Sequence, residues 1–205
     1  MCSPAGHSFI ALTLALAWLL PARQQLGDVF RWCGSHKLLL LFCLFAGNAP
    51  DIDYLPGLLQ GRMNDYHHIL SHSLGWSILC SLGLWLLWKA LDKTVRIREA
   101  MLVLTLVCSH LLVDLVTQDG APPFGILFFW PFSDRYVQGP FWIFAMARKD
   151  NLGMIFQWYN VKVMLRELLV VLPFFVGMMA WKLKGRGIGA DSAIDDDLEG
   201  DKQAP

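Results

Sequence analysis

Charge is scarce in this 205-residue chain: Asp, Glu, Lys and Arg make up 17% of it against 55% apolar residues, and the formal net charge is zero. So low a charged fraction argues against a soluble globule of this size, and the lack of a basic excess gives no footing for nucleic acid. Cysteine is also sparse. The five thiols (Cys2, Cys33, Cys43, Cys80, Cys108) are odd in number, show no CxxC spacing and fall mostly within apolar runs. They read as buried small hydrophobes rather than as disulfides or metal ligands. No Lys or Arg precedes the first apolar run, which makes a poor secretory signal and is expected to stay in place as a membrane helix. There is no internal repeat, and the length suits one domain.

What the chain does have is apolar segments, at about 7–22, 37–49, 67–88, 100–118 and 163–181. The last three are long enough to cross a hydrocarbon core at ~20 residues per span. The first two are short, as tilted spans or a hairpin with ends below the headgroups. Residues 124–147 are aromatic and broken by Pro131, Gly139 and Pro140, which suits an interfacial or re-entrant segment. The expected fold is an all-α, multi-pass helical membrane bundle over 1–184, followed by a disordered acidic tail at 185–205 containing DSAIDDDLEGD.

Basic residues set the orientation. If the chain starts outside and alternates, the inner stretches hold Arg23, Arg31 and Lys37, then Lys89, Lys93, Arg96 and Arg98, then Lys182, Lys184, Arg186 and Lys202. These are eleven of the 17 basic residues, a bias in the direction of the positive-inside rule. It places the C-terminal tail in the cytoplasm of a cell whose cytoplasmic (inner) membrane holds the chain.

Histidine and aspartate then stand out by position. His7 begins the first segment, GNAPDIDYLPG (Asp51, Asp53) ends the second, YHHILSHS (His67, His68, His72) begins the third, and SHLLVDLVT (His110, Asp114, Thr117) lies near the end of the fourth. In an alternating bundle all four places fall at one face, the non-cytoplasmic one. Ionisable groups at membrane depth are costly and mark function by default, and imidazole with carboxylate is the ligand chemistry of zinc and similar cations.

Each motif alone has a plainer reading. Asp51 and Asp53 can cap a Pro- and Gly-flanked turn, and a lone His110 can be a satisfied core histidine. Asp114, one turn from His110 on the same helix face, changes that balance, because a buried carboxylate must find a cation or strong donors. Thr117 continues that face. His68 and His72 are four apart and would share a helix face, whereas His67 would lie ~140° from His72 unless it precedes the helix. Ser71 and Ser73 can cap the helix or orient these rings. Arg166 and Glu167 read as an ion pair at a helix entrance, and His36 falls on the opposite side of the bundle.

The motifs together resemble a bacterial family of LexA-regulated, inner-membrane, metal-dependent hydrolases, the YdjM-like group. The pattern is an N-terminal His, then PDxD, then H-x-x-x-S/T-H-S, then H-x-x-x-D-x-x-T-x-x-G followed by WP. Here it reads His7; Pro50, Asp51, Asp53; His67, Ser71, His72, Ser73; His110, Asp114, Thr117, Gly120; and Trp130, Pro131, Phe132, over about residues 7–133. The resemblance implies a multi-pass membrane protein with metal-dependent hydrolase activity, and it favours His67 over His68 as the ligand. It departs at His68, where the family has Arg: a titratable ring replaces a permanent cation suited to phosphate.

The function expected from the sequence is a membrane-bound hydrolase, with one or two divalent cations held by His7, Asp51, Asp53, His67, His72, His110 and Asp114. Zinc is favoured, with manganese or iron as alternatives. A metal-activated water would attack a phosphoester or ester, possible substrates being lipids and other amphiphiles, with Asp53 first and Asp51 second as general base. His68, Ser71 and Thr117 would orient ligands or meet substrate. The oligomeric state is left open. Two other classes stand beside this one: an ion or proton pathway, which needs ionisable groups through the depth of the bundle, and a structural metal site in a non-catalytic membrane protein.

Overall fold

The computed structural model describes residues 2–61, 67–68, 70–120, 123–148 and 152–184; the acidic tail lies outside them. Among these residues eight α-helices follow one another: α1 Pro4–Leu19, α2 Leu26–Ser35, α3 Lys37–Asn48, α4 Tyr54–Leu59, α5 Leu74–Leu91, α6 Ile97–Leu115, the single turn α7 Leu152–Ile155, and α8 Trp158–Leu183. Among the described residues there is no strand longer than an isolated bridge. The chain is an all-helical membrane protein, as expected.

The helix starts are written locally. Ser3 caps α1 by accepting from the Gly6 amide at 3.1 Å, and Pro4 enters at the first turn, where its missing N–H costs nothing. Ser73 caps α5 by accepting from the Trp76 amide. At the start of α6, Glu99 reaches back to the Arg96 amide at 2.9 Å.

Two boundaries differ from expectation. The second segment does not stop at 49: α3 continues through a 3-10 turn, Ala49–Asp53, into α4, giving a 23-residue run, Lys37–Leu59. Pro50 cannot donate to a helical carbonyl, so the backbone tightens there rather than ending. The third segment starts later than 67, because α5 begins at Leu74 and His72 sits in a short 3-10 turn, Leu70–His72. By length and composition, Lys37–Leu59, Leu74–Leu91 and Trp158–Leu183 can each cross a membrane. α1 is apolar but shorter, and the 19-residue α6 carries Arg98, Glu99 and Asp114.

α1 is the central rod, packed against α3, α6 and α8, with α5 lying on α6. The contact faces are small: Ala11, Ala15, Cys43 and Ala46 meet Leu102, Val103, Leu106 and Val107 in the buried core. Gly47 lies so close to α1 that an added Cβ would stand 2.4 Å from that of Ala11. Large side chains point the other way. Leu38, Leu41 and Phe45 on α3, Leu79, Leu82 and Leu86 on α5, and Leu169, Phe174 and Trp181 on α8 are all exposed. Small residues inward and large apolar residues outward is the pattern of helices solvated by lipid.

Residues 123–148 form no helix and lie across the ends of α5 and α6. Phe128 and Trp130 carbonyls accept from the amides of Leu74 and Gly75 at 3.0 Å each, and Gly139 donates to the Leu115 carbonyl at 2.8 Å. A Cβ on Gly139 would stand 2.3 Å from that carbonyl oxygen, so the close approach requires glycine. The aromatic segment therefore covers the end of the bundle at which α1 and α5 start and α3 and α6 finish.

Candidate metal centre

Asp114 is the hub at that end. From the last turn of α6 its carboxylate, 1% exposed, faces three imidazole Nε2 atoms: His110 at 3.3 Å and His72 at 3.4 Å from Oδ2, and His7 at 3.4 Å from Oδ1. Asp51 stands opposite, with Oδ1 at 3.5 Å from His110 Nε2 and 3.8 Å from His72 Nε2. His7 lies flat on His110, ring centroids 3.6 Å apart.

The far side of each ring fixes what the near side offers. His110 Nδ1 lies 2.9 Å from the Gly47 carbonyl, which can only accept, so Nδ1 carries the hydrogen and Nε2 of the neutral ring presents a lone pair. That carbonyl is available for a reason written in the sequence: within a 3-10 turn it would seek the N–H of residue 50, and Pro50 has none. His72 Nδ1 faces Asp53 Oδ2 at 3.1 Å, which leaves its Nε2 turned towards Asp51 and Asp114. His72 Nε2, His110 Nε2 and Asp114 Oδ2 are buried and make no hydrogen bond. A buried polar atom without a partner costs ~1–3 kcal/mol, so three converging on one spot call for an occupant.

The spacings identify the kind of occupant. Distances of 3.3–3.8 Å are too long for good hydrogen bonds. Ligand atoms ~2.0–2.1 Å from a tetrahedral cation lie about 3.3 Å from one another. The donor set thus fits a divalent cation among His72, His110, Asp114 and Asp51, with His7 at its margin. Rings locked from behind by a carboxylate and a carbonyl are the usual support for such ligands.

A second group lies alongside. His67 Nδ1 meets Asp53 Oδ1 at 2.8 Å, and Ser71 Oγ donates to Asp53 Oδ2 at 2.5 Å. Asp51, Asp53 and His67 offer ligand atoms within 4.8 Å of one another. His67 stacks on Tyr54 at 3.9 Å.

All seven expected ligands therefore meet at one end of the bundle. His68 adds a further donor, with a ligand atom within 4.8 Å of those of His67 and His72, whereas Thr117 does not join them. His68 is in the left-handed region (φ 65°) and pairs with Asp119 through Nδ1 at 3.5 Å; burial pushes its imidazole below the ordinary value, Asp119 opposing. Thr117 Oγ1 donates to the Val113 carbonyl. The four-residue spacing of His68 and His72 is not that of one helix face here, since His68 has a left-handed backbone and His72 sits in the 3-10 turn Leu70–His72.

Some participants carried no sequence signal that was recognised. Asp119 also accepts from the Gly125 amide at 2.8 Å, and the Gly47 carbonyl orients His110. Glu167, 1% exposed on α8, accepts from the Ser3 amide at 2.7 Å and from the Ser3 hydroxyl, tying α8 to the start of α1. It was expected as half of an ion pair with Arg166.

Fold and site together define a helical membrane protein with His/Asp groups able to hold a metal ion at one end of its bundle. The YdjM inner membrane protein family matches residues 3–186, and the chain belongs to that family. No curated protein and no solved structure matches the chain.

Proposed function

We propose that this chain is a metal-dependent hydrolase of the cytoplasmic membrane, with the site at the non-cytoplasmic face and the tail in the cytoplasm. The observation that carries the proposal is the convergence of His72 Nε2, His110 Nε2 and Asp114 Oδ2, all buried and without a hydrogen bond. His72, His110 and Asp114 would hold the ion with Asp51, and His7 would border it. Zinc suits this set best, with manganese or iron also compatible.

A bound divalent cation supplies Lewis acidity to a phosphoryl or acyl oxygen and makes a water acidic near neutral pH. The chain's own residues do the rest. Asp51 and Asp53, at 13% and 10% exposure the most open side chains among these ligands, would accept the water's proton. Asp53 also holds His72 and His67 in place. The aromatic segment over the bundle end would admit an amphiphile from the lipid side and limit bulk water, which favours a phosphoester or ester of lipid character.

An ion pathway would need ionisable groups through the depth of the bundle. Among the described residues the buried imidazole and carboxylate side chains His7, His68, His72, His110, Asp114 and Glu167 collect at one end, and Lys182 at the other end donates to the Leu20 carbonyl. The test is hydrolysis of a panel of phosphoester and carboxylic ester amphiphiles by the zinc-loaded protein in detergent. Turnover that disappears in Asp114→Ala supports the hydrolase; no turnover on any of them with zinc, manganese or iron counts against it.

A further inference from the structure

The donors at this end outnumber what one cation can use. A tetrahedral catalytic ion takes about three protein ligands and one open position, whereas eight imidazoles and carboxylates converge here, His68 included. They form overlapping sets, two of which share Asp51. His72, His110 and Asp114 lie on one side, Asp53 and His67 on the other, and Asp51 belongs to both: it forms one close set with His72 and His110 and another with Asp53 and His67.

We infer that the centre takes two divalent cations side by side, one held by His72, His110 and Asp114, the other by Asp53 and His67, with Asp51 shared between them. The inference rests on the metal-centre reading above and extends it from one ion to a pair. Charge supports it. Three carboxylates, Asp51, Asp53 and Asp114, lie together with side chains no more than 13% exposed. A single divalent ion leaves one negative charge at low dielectric, and a second leaves one positive charge, which a phosphoester anion would offset. Position supports it too. His72 stands between the groups, Nε2 towards Asp51 and Asp114 and Nδ1 towards Asp53. The hydrogen bond between His67 and Asp53 at 2.8 Å is the contact that the second cation would replace.

The pair changes the chemistry. A pair of cations held by these residues would supply charge stabilisation for both the attacking and the leaving oxygen of an in-line displacement, which narrows the substrate from an ester in general to a phosphoester. Asp51 and Asp53 would then act as ligands as well, and the proton of the acidified water would pass to a carboxylate oxygen of Asp51 or Asp53 not engaged with a cation.

The deciding measurement is metal stoichiometry of the full chain in detergent, saturated with zinc and freed of unbound ion, read by mass spectrometry. The parent is expected to hold about two equivalents, and His67→Ala and Asp53→Asn, each of parental size-exclusion profile and helicity, about one. Manganese-loaded parent should give the spin-coupled resonance spectrum of an ion pair, replaced in both variants by that of an isolated ion. One equivalent in the parent overturns the pair and leaves the single-ion site standing; none removes the underlying metal-centre reading as well. Two equivalents retained by both variants would overturn the assignment of Asp53 and His67.

Discussion

Replacing Asp114 removes the carboxylate that faces His7, His72 and His110 together, so Asp114→Ala should lose the ion held there and keep at most the one beside Asp53 and His67. His72→Ala and His110→Ala should do the same. Asp53→Ala acts differently at the first ion: it removes the group that orients His72, and should weaken zinc affinity there on the order of 10–100-fold, the usual cost of losing such support. His68→Ala should keep its metal, because His68 is turned towards Asp119. Equal metal loss from His68→Ala, with retention by His67→Ala, would reverse the two roles. At this scale the sequence was informative about residue identity, since ionisable side chains in apolar surroundings are conspicuous. It was silent on backbone partners. Nothing in the letters of Gly47 announces that its carbonyl fixes the His110 ring, although Pro50 three residues on supplies the reason.

Between elements, the tightest approach is α3 on α1. Gly47→Ala would drive a methyl to 2.4 Å from Ala11 Cβ, and the helices must part. The expected loss is about 1–3 kcal/mol of stability, together with a displaced carbonyl behind His110, read as a lower thermal midpoint and weaker zinc binding in one protein. Glu167→Ala leaves the Ser3 amide and hydroxyl without their buried acceptor. It should cost on the order of 1–3 kcal/mol through the α1–α8 contact, and lower the thermal midpoint of the metal-free protein as well. Hydrophobic length located the helices but not all their ends. α3 runs past Pro50 because a 3-10 turn accommodates proline, and α5 starts at Leu74 because Ser73 caps it. Periodicity cannot report either event, and the late start of α5 means that His68 and His72 do not share one helix face. The tie between Ser3 and Glu167 was out of reach for a related reason, since it joins residues 164 positions apart.

Across the whole molecule, the site is made from α1, the turn after α3, the turn before α5, and α6, elements that share no local sequence. Their meeting at one end follows from alternation of the helices. That part was legible: once the apolar segments and their order are known, His7, Asp51, His72 and Asp114 have one common face to occupy. A cation there cross-links four stretches of chain, so its binding energy adds to folding energy. Chelation should therefore lower the thermal midpoint of the parent and lower that of Asp114→Ala by less, as followed by helicity in detergent. The central claim is that the buried nitrogens and carboxylates at this end hold a metal ion. It is tested most directly by the metal content of the detergent-purified parent beside a His110→Ala, Asp114→Ala double variant of matched helicity. One or more equivalents of zinc, manganese or iron in the parent, with about one equivalent fewer in the variant, is the predicted result. A parent that stays empty after reconstitution with each of these ions would contradict it.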